Sequence, residues 1–469
     1  MKIKIFFLFS IILGFIILTS LNNNTEIQKK PNIIFIAVDD LRPQLNCYGK
    51  SQIISPNIDY LASNSYTYEN AVCNFPVCGA SRASLLTGLR PNKKRFKSFK
   101  TRMDEDADDV LTIGEWFKSN DYFTLSLGKI SHHTNDSPES WSIPAWRGEK
   151  NWRDYQTKEN IFAAKTKNGA AKAFEIGENL NDDYGDTKMV NKAIEKLDEL
   201  TVKEQPFFMA LGFLKPHLPF NAPKKYWDLY NEKDIELASN RYQPKNSPDI
   251  SMHKYGELRK YTNIPSDYNI DVPDSTQKKL IHGYYACVSY IDDEIGKLLK
   301  HLKKLEIYDN SIIVLWGDHG WQLGEHNLWA KHCNYQTSLK VPLLIKYPKQ
   351  KTQKRIRSVV ELLDIYPTLC ELSNIDKPNH LQGKSLLTIN KLDPENLNGY
   401  TKYHKGETVT TTEKSYTEWR NKDNNYLKAN MMYDLVKDPD ENINISKNKE
   451  NAYSILKFQH LLDSVRLLD

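Results

Sequence analysis

Four polar clusters stand directly behind four apolar runs of this chain. Asp39-Asp40 follows NIIFIAV (32–38), Gly128-Lys129-Ile130-Ser131-His132-His133 follows YFTLSL (122–127), Lys215-Pro216-His217 follows PFFMALGF (206–213), and Asp318-His319-Gly320 follows SIIVLW (311–316). In an open parallel sheet, ligands bind outside the carboxyl ends of the strands, so the four clusters are expected to converge on one site. Taken singly, an Asp pair caps a turn and a histidine fills a core. Four such clusters in the same position relative to a strand call for a shared explanation. Asp39, Asp40 and Asp318, with the imidazole of His319, offer donors that suit Ca2+, less readily Mg2+, and either better than a softer metal. Arg82, Lys129 and Lys331, with His132 and His217, add cations and donors enough to hold a tetrahedral oxyanion, which makes a sulfate or phosphate ester the natural guest.

The stretch FPVCGASRASLLTG (75–88) adds a sulfur to this set. Cys78 opens the helix expected over SRASLLTGL, where exposed backbone N–H groups and the positive end of the dipole favour an anion and lower a thiol pKa. A thiolate nucleophile is one reading, and a Cys73–Cys78 disulfide in an exported chain is another. A soft sulfur beside a hard cation is a poor match, so a chemically altered side chain at position 78 is the third.

The elements that must hold these groups follow from periodicity. Short β-branched and aromatic runs, including VPLLIKY (341–347), alternate with amphipathic stretches at 55–63, 112–119, 188–200, 277–305 and 359–372. That alternation predicts an α/β fold with a large, mainly parallel sheet between helices. From 221 to about 271 the chain turns polar and loses its period, the mark of a long excursion over one face of the sheet. Breaks at DKPNHLQGKS and KLDPENLNGY place a catalytic domain at 30–385 and a small C-terminal α+β subdomain at 386–469.

Residues 1–22 carry two lysines and a continuous apolar run that turns polar at LNNNT, the pattern of a signal peptide. Export to the periplasm or the extracellular space is expected, with an uncleaved N-terminal anchor as the alternative; no later segment is apolar enough to span a bilayer. Removing Lys2 and Lys4 with the leader lowers the formal charge from +5 to +3, so no global field recruits nucleic acid. The 469 residues include six cysteines without zinc-type spacing, which excludes a disulfide-built scaffold.

CGASR (78–82), followed by ASLLTGLRP, resembles the type I sulfatase signature C-x-[PA]-x-R, in which the cysteine is oxidised to formylglycine by a maturase. VDDLRPQLNCYG (38–49), FLKPHLPF (213–220), GYYACVSYIDDEIGKLL (283–299) and GDHGWQLGEHNLWAKH (317–332) extend the likeness and are similar to the iduronate-2-sulfatase group. The resemblance implies an alkaline-phosphatase-like fold, with one Ca2+ held by Asp39, Asp40, Asp318, His319 and the modified Cys78. It also implies that the aldehyde hydrates, that one hydroxyl attacks sulfur, and that His132 deprotonates the other so that sulfate is expelled. Arg82 is expected to hold the hydrate, Lys129 the sulfate oxygens, and His217 or Lys331 the leaving oxygen. A uronic acid 2-sulfate, such as iduronate 2-sulfate, or a related sulfated polysaccharide fragment is the expected substrate. Trp141, Trp146 and Trp152 either pack in a loop core or stack on sugar rings.

Two other readings are compatible with the residues. A phosphomonoesterase or phosphodiesterase of the same superfamily would normally carry Ser or Thr, or two metals, where Cys78 stands. A sulfated-glycan binding protein with an idle site requires Cys78 to remain a thiol.

Overall fold

The computed structural model describes residues 30–148, 152–166, 171–178, 184–421 and 426–467; the expected signal peptide at 1–22 lies outside them. The frame is an eight-stranded sheet. In chain order its strands are β1 (Ile33–Val38), β2 (Tyr66–Val72), β3 (Phe123–Gly128), β4 (Phe207–Phe213), β5 (Ile312–Gly317), β6 (Lys340–Val341), β7 (Leu343–Lys346) and β8 (Lys354–Glu361). The central four lie in the order β5, β1, β4, β3 and are all parallel. β7 runs antiparallel between β5 and β2, and β8 lies parallel to β2 on its other side. Register brings the carboxyl ends level: Val38 pairs with both Phe213 and Gly317, and Gly128 pairs with Gly212. A side chain at Gly212 would stand 2.0 Å from the carbonyl oxygen of Lys129, so glycine is what lets this rim close up.

The helices that cover the sheet are α1 (Pro56–Ser63), α2 (Cys78–Thr87), α3 (Ile113–Ser119), α4 (Gly185–Thr201), α5 (Asp274–Lys304) and α6 (Ile365–Leu372). β1 is buried at every residue, as a strand covered on both faces must be. Ile34, Ile36 and Val38 enter a core shared with α1, α4 and α5, and Ile33, Phe35 and Ala37 enter one shared with α2, α3 and α6. Each fully buried aliphatic side chain contributes about 1.5–3 kcal/mol, so the strand that delivers Asp39 and Asp40 is fixed from both sides.

Two expectations are corrected. The helix expected over 359–372 begins at Ile365, because Val359–Glu361 complete β8 and Leu362–Asp364 form a single 3-10 turn. Val359 and Val360 pair with Asn70 and Ala71, and β-branched residues suit that ladder better than a helix. The strand expected over 341–347 is interrupted at Pro342, which has no N–H to donate.

Towards the C-terminus, β9 (Gly399–Tyr403), β10 (Gly406–Thr410), β11 (Lys414–Arg420) and β12 (Leu427–Asp434) form an antiparallel meander. Helix α7 (Ala452–Arg466) packs on it through Phe458 and Leu462, against Tyr400, Val409, Tyr416 and Met432. The polar excursion holds short 3-10 turns, among them Leu258–Lys260. Among the described residues no helix is long and apolar enough to cross a membrane.

Candidate active site

Asp39 and Asp40 leave β1, Lys129 leaves β3, His217 follows β4, and Asp318 and His319 leave β5, so one rim carries all four clusters. Asp40 is left-handed, with φ 60°, a conformation Asp tolerates better than most residues. Its backbone N–H donates to Asp318 Oδ1 at 3.0 Å, and its carbonyl accepts from the Tyr284 hydroxyl at 2.9 Å. Asp39, Asp40, Asp318 and His319 are all 0% exposed, and carboxylates so placed need charged partners. Lys129 Nζ lies 2.5 Å from Asp39 Oδ2, and Lys331 Nζ lies 2.9 Å from Asp40 Oδ1. Arg82 donates from Nε to Asp318 Oδ2 at 2.8 Å and from Nη2 to Asp39 Oδ1 at 3.2 Å. Its Nη1 donates to the carbonyls of Lys129 and Ile130. Arg82 is therefore chiefly a strut between the two carboxylates.

Cys78 stands at the first residue of α2. Gly79 is dictated by packing, since a Cβ there would stand 2.7 Å from the Phe99 carbonyl oxygen. Cys78 Sγ lies 3.2 Å from His319 Nε2, 3.6 Å from Lys331 Nζ and 3.9 Å from Asp40 Oδ1. Cys73 and Cys78 are both free, which removes the disulfide reading. The expected lowering of the thiol pKa is overturned as well. Burial pushes Cys78 well above the ordinary thiol value and Asp39 adds to it, against the opposing charges of Lys129 and Lys331. A thiol held protonated at neutral pH is a poor nucleophile.

His319 donates from Nδ1 to the Gly320 carbonyl at 3.0 Å, which turns its Nε2 lone pair towards the cluster, and burial keeps the ring neutral. His217 donates from Nδ1 to the Leu218 carbonyl at 2.6 Å; burial, and then Lys331, lowers it to about 3. His132 is lowered to about 2 by burial and then by Lys129, and its Nδ1 is buried without a partner. No hydrogen bond or ion pair ties His132 to Cys78 among the described residues; the ring packs edge-on to Phe99 and His133. Of the three tryptophans, Trp141 is buried and Trp146 packs on the core, whereas Trp152 is 40% exposed and meets His217 edge-on at 5.2 Å.

Glu257 belongs to the site and was not expected there. Its Oε1 accepts from Lys331 Nζ at 3.2 Å and lies 3.4 Å from His217 Nε2. Its Oε2 lies 3.8 Å from His332 Nδ1 and has no hydrogen-bond partner. A single acid in YGELRK gives no periodic or motif signal, and only the path of the excursion turns it inward. With it, four carboxylates face the three cations Arg82, Lys129 and Lys331, leaving one negative charge in excess. Asp40 registers the excess: burial pushes its carboxyl up, Lys331 holds it down, and Asp39, Glu257 and Asp318 push it up again. Asp40 Oδ2 is buried with no hydrogen-bond partner, and His217 Nε2 lies 3.9 Å from it.

A hard divalent cation fits that donor set and that charge. Atoms of Asp39, Cys78, Asp318 and His319 lie within 4.8 Å of one another, as do atoms of Asp39, Asp40, Cys78 and His217. Such an ion would turn the excess into a single positive charge, the complement of a sulfate monoester.

Residues 31–375 match the sulfatase family, and residues 324–467 match the C-terminal region of N-sulphoglucosamine sulphohydrolase. The mouse (Mus musculus) iduronate 2-sulfatase is 32% identical over 413 residues, covering 79% of this chain and 74% of its own length. A protein solved in complex with its substrate D-glucosamine-2-N,6-O-disulfate superposes with a TM-score of 0.74 at 21% identity, over 93% of this chain and 98% of that one. The phosphonate monoester hydrolase of Agrobacterium radiobacter superposes with a TM-score of 0.74 at 19% identity, over 93% and 96%. These superpositions place the large sheet in an alkaline-phosphatase-like fold. The match over residues 31–375 and the 32% identity make the chain a member of the sulfatase family.

Proposed function

We propose that this enzyme removes sulfate from a sulfated carbohydrate, with Cys78 oxidised to formylglycine and one Ca2+ held by Asp39, Asp40, Asp318 and His319. The observation that carries the reading is the place of Cys78 Sγ, 3.2 Å from His319 and 3.6 Å from Lys331, in a site that keeps its thiol protonated. Oxidation to an aldehyde exchanges a soft sulfur for oxygen, the donor that a hard cation prefers. When bound, Ca2+ supplies Lewis acidity and fixes the orientation of an oxygen at position 78.

The remaining work falls to the chain's own side chains. Lys129, paired with Asp39, and Lys331, 3.6 Å from Cys78 Sγ, neutralise the sulfate oxygens. Arg82 keeps Asp39 and Asp318 in register beneath them. Lys331 and His217, brought together by Glu257, face the bridging oxygen and steady the charge that develops there. His132, whose Nδ1 has no hydrogen-bond partner, is the imidazole we assign to take the proton given up when sulfate leaves, the charge of the bound sulfate offsetting that of Lys129, which otherwise holds its pKa down.

For the sugar we favour a uronic acid 2-sulfate, on the 32% identity with the mouse iduronate 2-sulfatase. Export to the periplasm or beyond, a maturase acting on Cys78, and a catalytic unit at 30–385 beside a subdomain at 386–469 belong to the same reading. The rival phosphoester reading draws on the shared fold alone, and a cysteine in CGASR argues for sulfate. Peptide mass analysis of the segment around residue 78 should find the aldehyde. Paired kcat/KM values should favour an aryl sulfate over the matching aryl phosphate by at least about 100-fold. Cys78→Ala should lower kcat by roughly four orders of magnitude with the melting transition kept. Full activity with an intact thiol, or faster phosphate release, rejects the reading.

A further inference from the structure

We propose that the wall between the catalytic sheet and the C-terminal meander is a second binding site, built for an anionic group one or more sugar rings away from the scissile sulfate. It rests on the sulfatase reading and deepens it, since it makes the preferred substrate an anionic oligosaccharide rather than a lone sulfated sugar. A cavity of about 1200 Å3 begins at His332, the residue after Lys331, and at Phe75, three residues before Cys78. From there it extends to Trp419 and to the hairpin turn His404-Lys405 between β9 and β10. A drug-sized ligand is enclosed by roughly 300–1,000 Å3, so this space exceeds what a single sugar ring needs.

The lining is basic, with six lysine and arginine side chains against two carboxylates. Some of that charge is already tied up: Glu407 holds Lys402 at 2.8 Å and Arg466 at 2.5 Å. Lys93, Lys97 and Lys405 differ. All three are exposed, and among the described residues none has a carboxylate within ion-pair reach. Lys93 and Lys97 come from the loop after α2, and Lys405 from the meander, so two separate segments present unneutralised cations to one concavity. Like charges gathered in a concave surface repel one another and attract an anion.

The floor suits sugar rather than a bare ion. The Tyr403 ring, 6.2 Å from His332 and 4.3 Å from His404, offers an apolar face for the C–H side of a ring. His253 Nε2 is buried in this wall without a partner and can take a hydroxyl. The guest is therefore a saccharide carrying a second sulfate or a carboxylate.

Binding and turnover test this separately. Cys78→Ala protein is titrated by calorimetry with sulfated tetrasaccharides from heparin, chondroitin sulfate and carrageenan at two salt concentrations. Adding Lys93→Ala, Lys97→Ala and Lys405→Ala should weaken the best binder by about ten-fold and flatten its salt dependence. Removing three exposed lysines elsewhere, Lys188, Lys300 and Lys437, should leave that affinity in place. Equal weakening by both triple variants, no weakening by the first, or no binding of any tetrasaccharide by the parent overturns the proposal. In the formylglycine-bearing enzyme the first triple variant should lower the ratio of tetrasaccharide to aryl sulfate kcat/KM by about ten-fold. Failure of the unmutated enzyme to release sulfate from any ester would instead sink the sulfatase reading, and the calorimetric result would stand by itself.

Discussion

The reaction centre and the basic wall next to it handle charge in opposite ways. In the centre, Asp39 is held by Arg82 and Lys129, Asp318 by Arg82, and Asp40 by Lys331, and all of these groups are buried. In the wall, Lys93, Lys97 and Lys405 are exposed and, among the described residues, have no carboxylate within ion-pair reach. A buried, mutually satisfied network has one geometry and is costly to break, whereas exposed cations cost little to leave waiting for a ligand. The centre is thus organised before substrate arrives, and the wall is completed by it. Changes in the centre should act in large steps on metal affinity and kcat; changes in the wall should act in small steps on binding.

The largest effect expected after loss of Cys78 itself is at Asp40, whose buried Oδ2 accepts no hydrogen bond. Asp40→Asn keeps the shape and removes the charge, and should weaken calcium binding by about 100-fold, read by titration of metal-free protein. An unchanged titration removes Asp40 from the ligand set. Glu257→Gln comes next, because Glu257 sits where the two regions meet. If it positions Lys331 and His217 on the leaving oxygen, kcat on a sugar sulfate should fall about ten-fold and kcat on an aryl sulfate, whose leaving group needs less help, about two-fold. Equal falls would reduce Glu257 to a packing role and sharpen the boundary between centre and wall.

The same contrast governs what was legible in the sequence. The strands that carry the centre are buried on both faces, so IIFIAV and FFMALGF read as continuous apolar runs, and the polar residues that end them stand out. The sheet edge was harder. β2 reads YTYENAV, with Glu69-Asn70 breaking its pattern, and β8 opens KRIR before its buried half begins. β8 owes its state to pairing with β2, and β2 to pairing with β6, β7 and β8, which no local period encodes. Cys78 and Arg82 stand out through the CGASR motif, and Asp318 and His319 through the end of an apolar run, and the fold brings the four together. Glu257 and the wall lysines escaped because they lie on segments whose course is set by tertiary contacts. The thiol pKa was misjudged because a helix dipole is a fraction of a charge, whereas burial and Asp39 act on the full one.

The smallest effect concerns the joint between the two regions. Glu441 is 2% exposed; its Oε2 accepts from the backbone N–H of Gln336, the first residue of a short helical turn beyond Lys331, at 2.6 Å, and its Oε1 accepts from Ser415 Oγ of β11 at 2.8 Å. It thus clasps the meander to the catalytic layer, beside Asn334 and Gln336, whose side chains donate to Thr408 and Thr410. Burial raises its pKa to about 7 from an ordinary 4.5, against the pull of the Gln336 N–H. Between those two values the folded chain binds more protons than the unfolded one, so this group's contribution to stability falls as pH rises through the window and levels off above about 7. The whole fall amounts to about 3 kcal/mol at most. Glu441→Gln cannot ionise, can still present a carbonyl to the Gln336 N–H, and leaves Ser415 free to turn its hydroxyl. The variant should flatten the dependence of Tm on pH between 5 and 7.5 by a few degrees and leave aryl sulfate turnover at fixed pH alone. If the slope of Tm against pH is the same with and without Glu441, the clasp does not titrate, and the two regions are joined by their neutral hydrogen bonds.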